Sequence, residues 1–287
     1  MSYKKNILNF SLIIISFLIG ISIVEVFGRF IGLGDVILYD ADHLVGYRLK
    51  SNQSAKRRKN SYVNSDYEGF RFDPNSKLSN SSEFIVFIGD SVTYGGSYID
   101  NSDLFSSKYC QLTNEIDFCL NNGLNAWGTM NMGRFIANYD LYSSRKPRKL
   151  ILVILPGDER RNLKSFTDTP FWSSKPRNPK AINEVFRYLL LKFFIPFLQI
   201  TQEVSTDKEL IKNKEIVFST QRKQSWEELN LYSYKSKYPL DIVITPPRSW
   251  FEKKENNKEI QIYKNLLETL DSYKINKKCN LYEFVKN

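Results

Sequence analysis

Ser91 stands in the heptad Gly89-Asp90-Ser91-Val92-Thr93-Tyr94-Gly95, directly after the apolar run 84–88. A buried strand that enters a glycine turn, with serine where the next helix begins, presents a hydroxyl for chemistry. Glycine turns the backbone without a Cβ clash. The helix start offers unpaired N–H groups and a positive dipole end, both of which favour a developing alkoxide or oxyanion. Such a serine needs a base. The chain has one histidine, His43, on the N-terminal side of the motif. Asp40-Ala41-Asp42-His43 has the Asp-x-x-His spacing of a base with its orienting acid, yet we read His43 as a surface or packing residue. Asp158 and Glu159 are further candidates, although an ordinary carboxylate is poorly matched to activating serine near neutral pH. Thr93 excludes the Gly-x-Ser-x-Gly elbow, and no Gly-Lys-Ser/Thr follows to make a phosphate loop. A plain Asx-turn at Asp90 is the structural alternative.

Positioning that turn requires a sheet. Apolar, β-branched runs at 84–88, 116–120, 150–155 and 240–245 read as buried parallel strands, with a fifth at 281–285. The first four end in turn chemistry: Gly89-Asp90, Asn121-Asn122-Gly123, Pro156-Gly157-Asp158 and Pro246-Pro247. Helical patterns at 103–112, 130–142 and 258–273 lie between them. Strands that alternate with helices, apolar without period-two alternation, indicate a parallel sheet covered on both faces, with ligand chemistry at its carboxyl edge.

At 287 residues with 42% apolar content the chain can bury an ordinary core, which excludes a disordered polypeptide. The formal charge of +10 is spread along the chain and does not imply nucleic-acid binding. The densest basic cluster, Lys56-Arg57-Arg58-Lys59, reads as a solvated loop, or as a contact for anionic lipid headgroups or a phosphorylated glycan. Residues 7–24 are uncharged and strongly apolar, preceded by Lys4 and Lys5. As a helix they would extend about 27 Å, enough for a bilayer core. No Ala-x-Ala-like site follows, so an uncleaved anchor is expected, with the N-terminus cytoplasmic and the bulk of the chain outside. The run 185–200 is too short for a second span and is broken by Arg187, Lys192 and Pro196. It is expected to pack on the core, with an interfacial helix or a lid as alternatives. Cys110 and Cys119 read as small core side chains, or as a disulfide in an oxidising compartment. No cysteine spacing suggests a metal, and no cofactor is expected.

The order Gly-Asp-Ser-x-Thr-x-Gly after the first strand, Asn121 to Thr129 after the second and Leu155 to Asn162 after the third resembles blocks I to III of the SGNH (GDSL-type) hydrolases. Residues 40–50, Asn64 and Gly69-Phe70-Arg71 are similar to the leader of membrane-anchored members. The resemblance covers most of the chain beyond residue 35. It implies a three-layer α/β/α sandwich with a roughly five-stranded parallel sheet, divided as anchor 1–33, leader 34–80 and hydrolase-like domain 81–287. It also implies Ser91 as nucleophile and first oxyanion donor, with Ala126 supplying the second backbone N–H in place of the family's glycine. The third donor, a block III asparagine, falls on Gly157, and Asn162 is its nearest substitute. The family's C-terminal Asp-x-x-His has no counterpart, since no histidine follows Ser91. Three readings stand open: cleavage or transfer of a small acyl ester, such as acetate on a glycan, through Ser91; non-catalytic binding of an acylated envelope polymer or scaffolding of its assembly; and a chain lacking its catalytic end.

Overall fold

The computed structural model describes residues 2–76, 83–113, 117–161, 180–190, 224–246, 257–271 and 277–280. The first element, α1 (Ser2–Phe30), is a single apolar helix. Within Asn9–Phe30 the most apolar 18-residue window has a mean hydropathy of 2.5, and none of that window is buried in the fold. Among the described residues it alone is long and apolar enough to cross a membrane, as an anchor or a signal sequence would be.

Two small antiparallel pairs follow. β1 (Tyr39–Asp42) pairs with β2 (Gly46–Leu49), and β3 (Ser54–Lys56) pairs with β4 (Tyr62–Asn64). The main sheet then takes β5 (Arg71–Phe72), β6 (Phe84–Gly89), β7 (Phe118–Gly123), β8 (Lys149–Ile154), β9 (Leu240–Ile244) and β10 (Lys277–Asn280), in the order β10-β9-β8-β6-β7-β5. The five strands from β6 to β10 are parallel, and β5 joins β7 antiparallel through Arg71↔Asn121 and Phe72↔Leu120. The parallel α/β architecture is as the sequence indicates, with one addition: the leader lends an edge strand.

Helices cover both faces. On one face α4 (Thr129–Ala137), α5 (Tyr139–Tyr142), α7 (224–235) and α8 (Asn257–Asp271) send Met132, Phe135, Tyr139, Leu229 and Tyr263 onto Val86, Ile88, Leu120, Leu152 and Ile242. On the other lie Ile85, Phe87, Cys119, Ile151 and Val153, with α3 (Phe105–Leu112) set against β7 and its Phe105 and Tyr109 edge-on to the Phe87 ring at 5.4 and 5.6 Å. Residues 86 and 88 thus face one layer and 85 and 87 the other. That explains why the strand reads as an unbroken apolar run.

Two strands begin away from their expected positions. β7 extends through Asn121-Asn122-Gly123, and the fifth parallel strand begins at Lys277; residues 281–285 lie outside the described residues. The leader is part of the core rather than an appendage, with Val45, Tyr47, Ala55, Val63 and Phe70 in the same apolar cluster as the sheet. The run 185–200 is described only in its first turns, within α6 (Ala181–Leu189). This helix packs on the end of α1 with Phe186, Tyr188 and Leu189 exposed, so its described part is not the core helix expected.

Arg71 is fully buried and ties these parts together. Its guanidinium donates to Tyr94 O at 2.6 Å, Gly96 O at 3.0 Å, Ile99 O at 3.0 Å and Asn101 Oδ1 at 3.0 Å. Cys110 and Cys119 form a disulfide, with Cα atoms 5.8 Å apart, rather than sitting as separate core side chains. The last turns of α3 lie on the face of β7 that Cys119 occupies, which brings the two together. Replacing both cysteines by serine is expected to lower stability by roughly 2–3 kcal/mol, the loop-closure value for so short a span. The urea midpoint should fall.

Candidate functional site

The Ser91 turn rests on close backbone approaches. A Cβ on Gly89 would lie 2.0 Å from Thr93 Oγ1, and one on Gly123 would lie 2.0 Å from Tyr94 N. Glycine at both strand ends lets the short helix α2 (Ser91–Tyr94) settle directly onto the sheet edge. Asp90 caps α2, its Oδ1 accepting from Val92 N–H at 2.9 Å, and Gly95 ends it at φ +77°. The Asx arrangement weighed from sequence is therefore present, and Ser91 remains exposed beside it. Ser91 Oγ donates to Asp90 Oδ2 at 3.3 Å.

The loop after β7 lies against this turn. Leu124 N–H donates to Gly89 O at 3.1 Å. Ala126 adopts φ +65°, a left-handed conformation that costs a non-glycine residue about 1–2 kcal/mol. Its neighbour is held from the leader: Tyr47 Oη donates to Asn125 O at 2.5 Å, and Asn125 Nδ2 donates to Tyr39 Oη at 3.3 Å. Among the described residues, the N–H groups of Ser91 and Ala126 have no acceptor.

Arg161, singled out by no motif, organises the opposite side. It follows β8, crosses Gly128, and donates to Asp90 Oδ2 at 2.9 Å and to Trp127 O at 2.9 Å. It also faces Asp158 Oδ1 at 3.0 Å, an ion pair without hydrogen-bond alignment. Asp158 is fully buried and accepts from Leu155 N–H at 2.9 Å. Burial first, and the Asp90 charge second, push its pKa well above the usual carboxylate range. Glu159 is buried too and accepts from Gly157 N–H at 2.8 Å. Both carboxylates offered as bases are thus turned inward.

Gly157 has φ +111°, its N–H is engaged by Glu159, and a Cβ there would meet nothing within 4 Å. The place of the third donor is open space. Asn162 lies outside the described residues. Asp40 and His43 are exposed on the β1–β2 hairpin. The turn of that hairpin is bonded to α4 and α5, through Asn131 Nδ2 to Val45 O at 2.8 Å and Tyr142 Oη to Asp42 Oδ1 at 3.1 Å. Among the described residues, no group of three or more His, Cys, Asp or Glu could hold a metal ion.

Arg161→Met would leave Asp90 and Asp158 facing each other without a cation, at an expected cost of about 3 kcal/mol. Adding Asp158→Asn should recover most of the loss in urea denaturation. The single variant Asp158→Asn tests the titration. A carboxyl whose pKa is raised by folding contributes its full stability below its unfolded pKa, around pH 4. That contribution is lost as pH rises through the raised folded value. The Tm of Asp158→Asn relative to the parent should therefore climb from pH 4 to pH 7.

No protein-family model matches the chain, and no curated protein matches it. Among solved structures it is similar to AlinE4, described as an SGNH-hydrolase family esterase, at 14% identity and a TM-score of 0.35, covering 69% of this chain and 76% of that one. A point mutant of the same esterase is similar at 12% identity and a TM-score of 0.37, covering 70% and 77%.

Proposed function

We propose that the domain handles a small acyl ester, such as acetate on a glycan, through Ser91. One observation carries this reading: Ser91 is exposed at a helix start, the loop carrying Ala126 is bonded to the same turn through Leu124 N–H and Gly89 O, and the N–H groups of Ser91 and Ala126 have no acceptor among the described residues. In this reading the ester carbonyl oxygen takes the two donors. Ser91 Oγ attacks the carbonyl carbon as its proton passes to Asp90, and the tetrahedral oxyanion collapses as that proton is returned to the leaving oxygen, expelling the alcohol. The acyl-serine is then released to water or to a second hydroxyl. The left-handed φ of Ala126 is compatible with this role, since strained backbone of this kind gathers at functional sites.

The weak part of the site is proton removal. The carboxylate on Ser91 Oγ is that of Asp90, and its oxygens are already engaged by Val92 N–H and Arg161. Loss of the base from such a triad costs up to about 10⁶ in rate. That observation, with the open space at Gly157, favours a second reading: a non-catalytic protein that binds an acylated polymer at the same edge or scaffolds its assembly.

We also propose that α1 is retained as an anchor with the globular part outside. Lys4 and Lys5 at one end of α1 against Arg29 at the other support this orientation, and the Cys110–Cys119 bridge supports an oxidising compartment.

A fluorophosphonate probe should label the folded chain slowly and not label Ser91→Ala. If folded wild type stays unlabelled, the acyl-serine reading is lost. Retention of an acetylated glycan by both proteins would then identify the binder.

A further inference from the structure

The end of α1 is gripped by two elements distant in sequence. Ile182 N–H, in the first turn of α6, donates to Glu25 Oε2 at 3.0 Å, and Glu25 pairs with Arg29 at 2.7 Å. Gly28 lets the two helices touch, since a Cβ there would lie 2.6 Å from Ala181 Cβ. Glu184 accepts from Gly34 N–H at 2.9 Å and from both terminal nitrogens of Arg57, the nearer of them in a short charge-assisted contact. The basic tetrad is itself pressed onto the chain leaving α1: a Cβ on Gly32 would lie 2.4 Å from the Arg57 backbone. Arg57 is buried in these contacts, while Lys56, Arg58 and Lys59 are exposed. A cleft of about 230 Å³ between them is lined by Arg29, Gly32, Leu33, Gly34, Asp35 and Lys56, with Asp35 engaged by the Lys56 backbone N–H at 2.7 Å.

Length fixes the depth of this assembly. The 18 apolar residues before Glu25 cover about 27 Å, close to the thickness of a bilayer core of about 30 Å. Glu25, and with it the first turn of α6, then stands at the hydrocarbon boundary. On α6, which packs on the end of α1, Phe186, Tyr188 and Leu189 are 61%, 52% and 42% exposed, and Phe27 and Phe30 of α1 are exposed as well. Aromatic and aliphatic side chains beside lysine and arginine make the composition of an interfacial helix seated on anionic lipid.

We infer that α6 and the Lys56–Lys59 turn form a collar seated in the membrane surface around the exit of α1. Phe186, Tyr188 and Leu189 enter the acyl boundary, and Lys56, Arg58 and Lys59 meet anionic headgroups. The inference rests on the reading of α1 as a retained span. Its consequence for the site is orientation. The collar turn is bonded to the loop that follows Ser91, through Ser61 Oγ to Ser97 O at 3.0 Å and Tyr62 N–H to Asp100 Oδ2 at 3.1 Å. The Ser91 edge is thereby held next to the membrane, where a surface-tethered ester would be presented.

The test uses the full chain reconstituted in vesicles, with Cys279→Ser and one environment-sensitive label on an introduced cysteine. Labels at Leu18→Cys, Phe186→Cys and Leu141→Cys report the span, the collar and the sheet's amino edge. Nitroxide-bearing lipids should quench Leu18 most from the deep position and Phe186 most from the shallow one. Shallow quenching at Phe186 should exceed that at Leu141 by at least about twofold and rise with the anionic lipid fraction. Lys56→Gln/Arg58→Gln/Lys59→Gln should abolish that rise while Leu18 remains quenched. Quenching at Leu18 with none at Phe186 beyond the Leu141 level overturns the collar and leaves the span standing. No quenching at Leu18 overturns the span and the collar together. A Phe186 label shielded by crosslinkable contact with a second copy, and not by lipid, overturns the collar in favour of self-association.

Discussion

A buried guanidinium holds the parts of this fold in relation to one another. Removing a charge from water costs several kcal/mol unless its hydrogen bonds are replaced. Arg71 meets that demand with three main-chain carbonyls, of Tyr94, Gly96 and Ile99, and one side-chain amide oxygen. Carbonyl oxygens turned toward one cation cannot also wander, so the loop leaving α2 takes a single course. Tyr94 lies beneath the same guanidinium, its ring centroid 4.7 Å from Cζ. Arg71 sits on β5, so satisfying its charge docks the leader to the sheet edge next to Ser91. The leader then supplies Tyr47 and Tyr39 to hold the Asn125–Ala126 loop. Helix α2, the loop after β7 and the β1–β2 hairpin are consequences of one solvation requirement met at one place.

The electrostatics of the site are built around stability of the turn more than around proton transfer. Asp90 is engaged on both oxygens, one with the α2 N–H of Val92 and the other with Arg161. Those bonds secure the start of α2 and hold negative charge close to Ser91, where an alkoxide would be repelled. Arg161 offsets the Asp90 charge and restrains Asp158, whose burial favours its neutral form. The arrangement is electrically balanced at rest. What the turn presents outward is the Ser91 hydroxyl.

The sequence made the parallel sheet legible because its central strands are buried on both faces. Runs such as 84–88 and 150–155 admit few other structures. It was less informative where polar residues carry strand positions. Asn121 looks like a turn residue, yet its buried amide donates to Thr93 O at 2.6 Å and Ser106 Oγ at 3.0 Å, so β7 continues through it. Lys277 and Lys278 likewise give no apolar signal, because β10 lies at the margin of the described sheet. Ser91 was legible from its turn, and Ala126 and Gly157 from their places after neighbouring strands. Arg161 was not, because its role depends on three partners drawn from three separate loops. Arginine beside arginine in a basic chain carries no local mark of that. Arg71 was visible within the leader pattern, but not as a buried cation, since burial of a charge is decided by tertiary partners.

The disulfide has a further consequence, for the fidelity of oxidative maturation. Cys110 and Cys119 are neighbours in the chain, so they can find each other before any long-range contact has formed. The third cysteine, Cys279, lies on β10, four strands from β7. At about 4.8 Å per strand that is roughly 19 Å, far beyond the reach of a disulfide. Once the sheet has assembled, the spare thiol has no route to exchange with the bridge. The pairing is therefore favoured early by proximity and protected later by geometry.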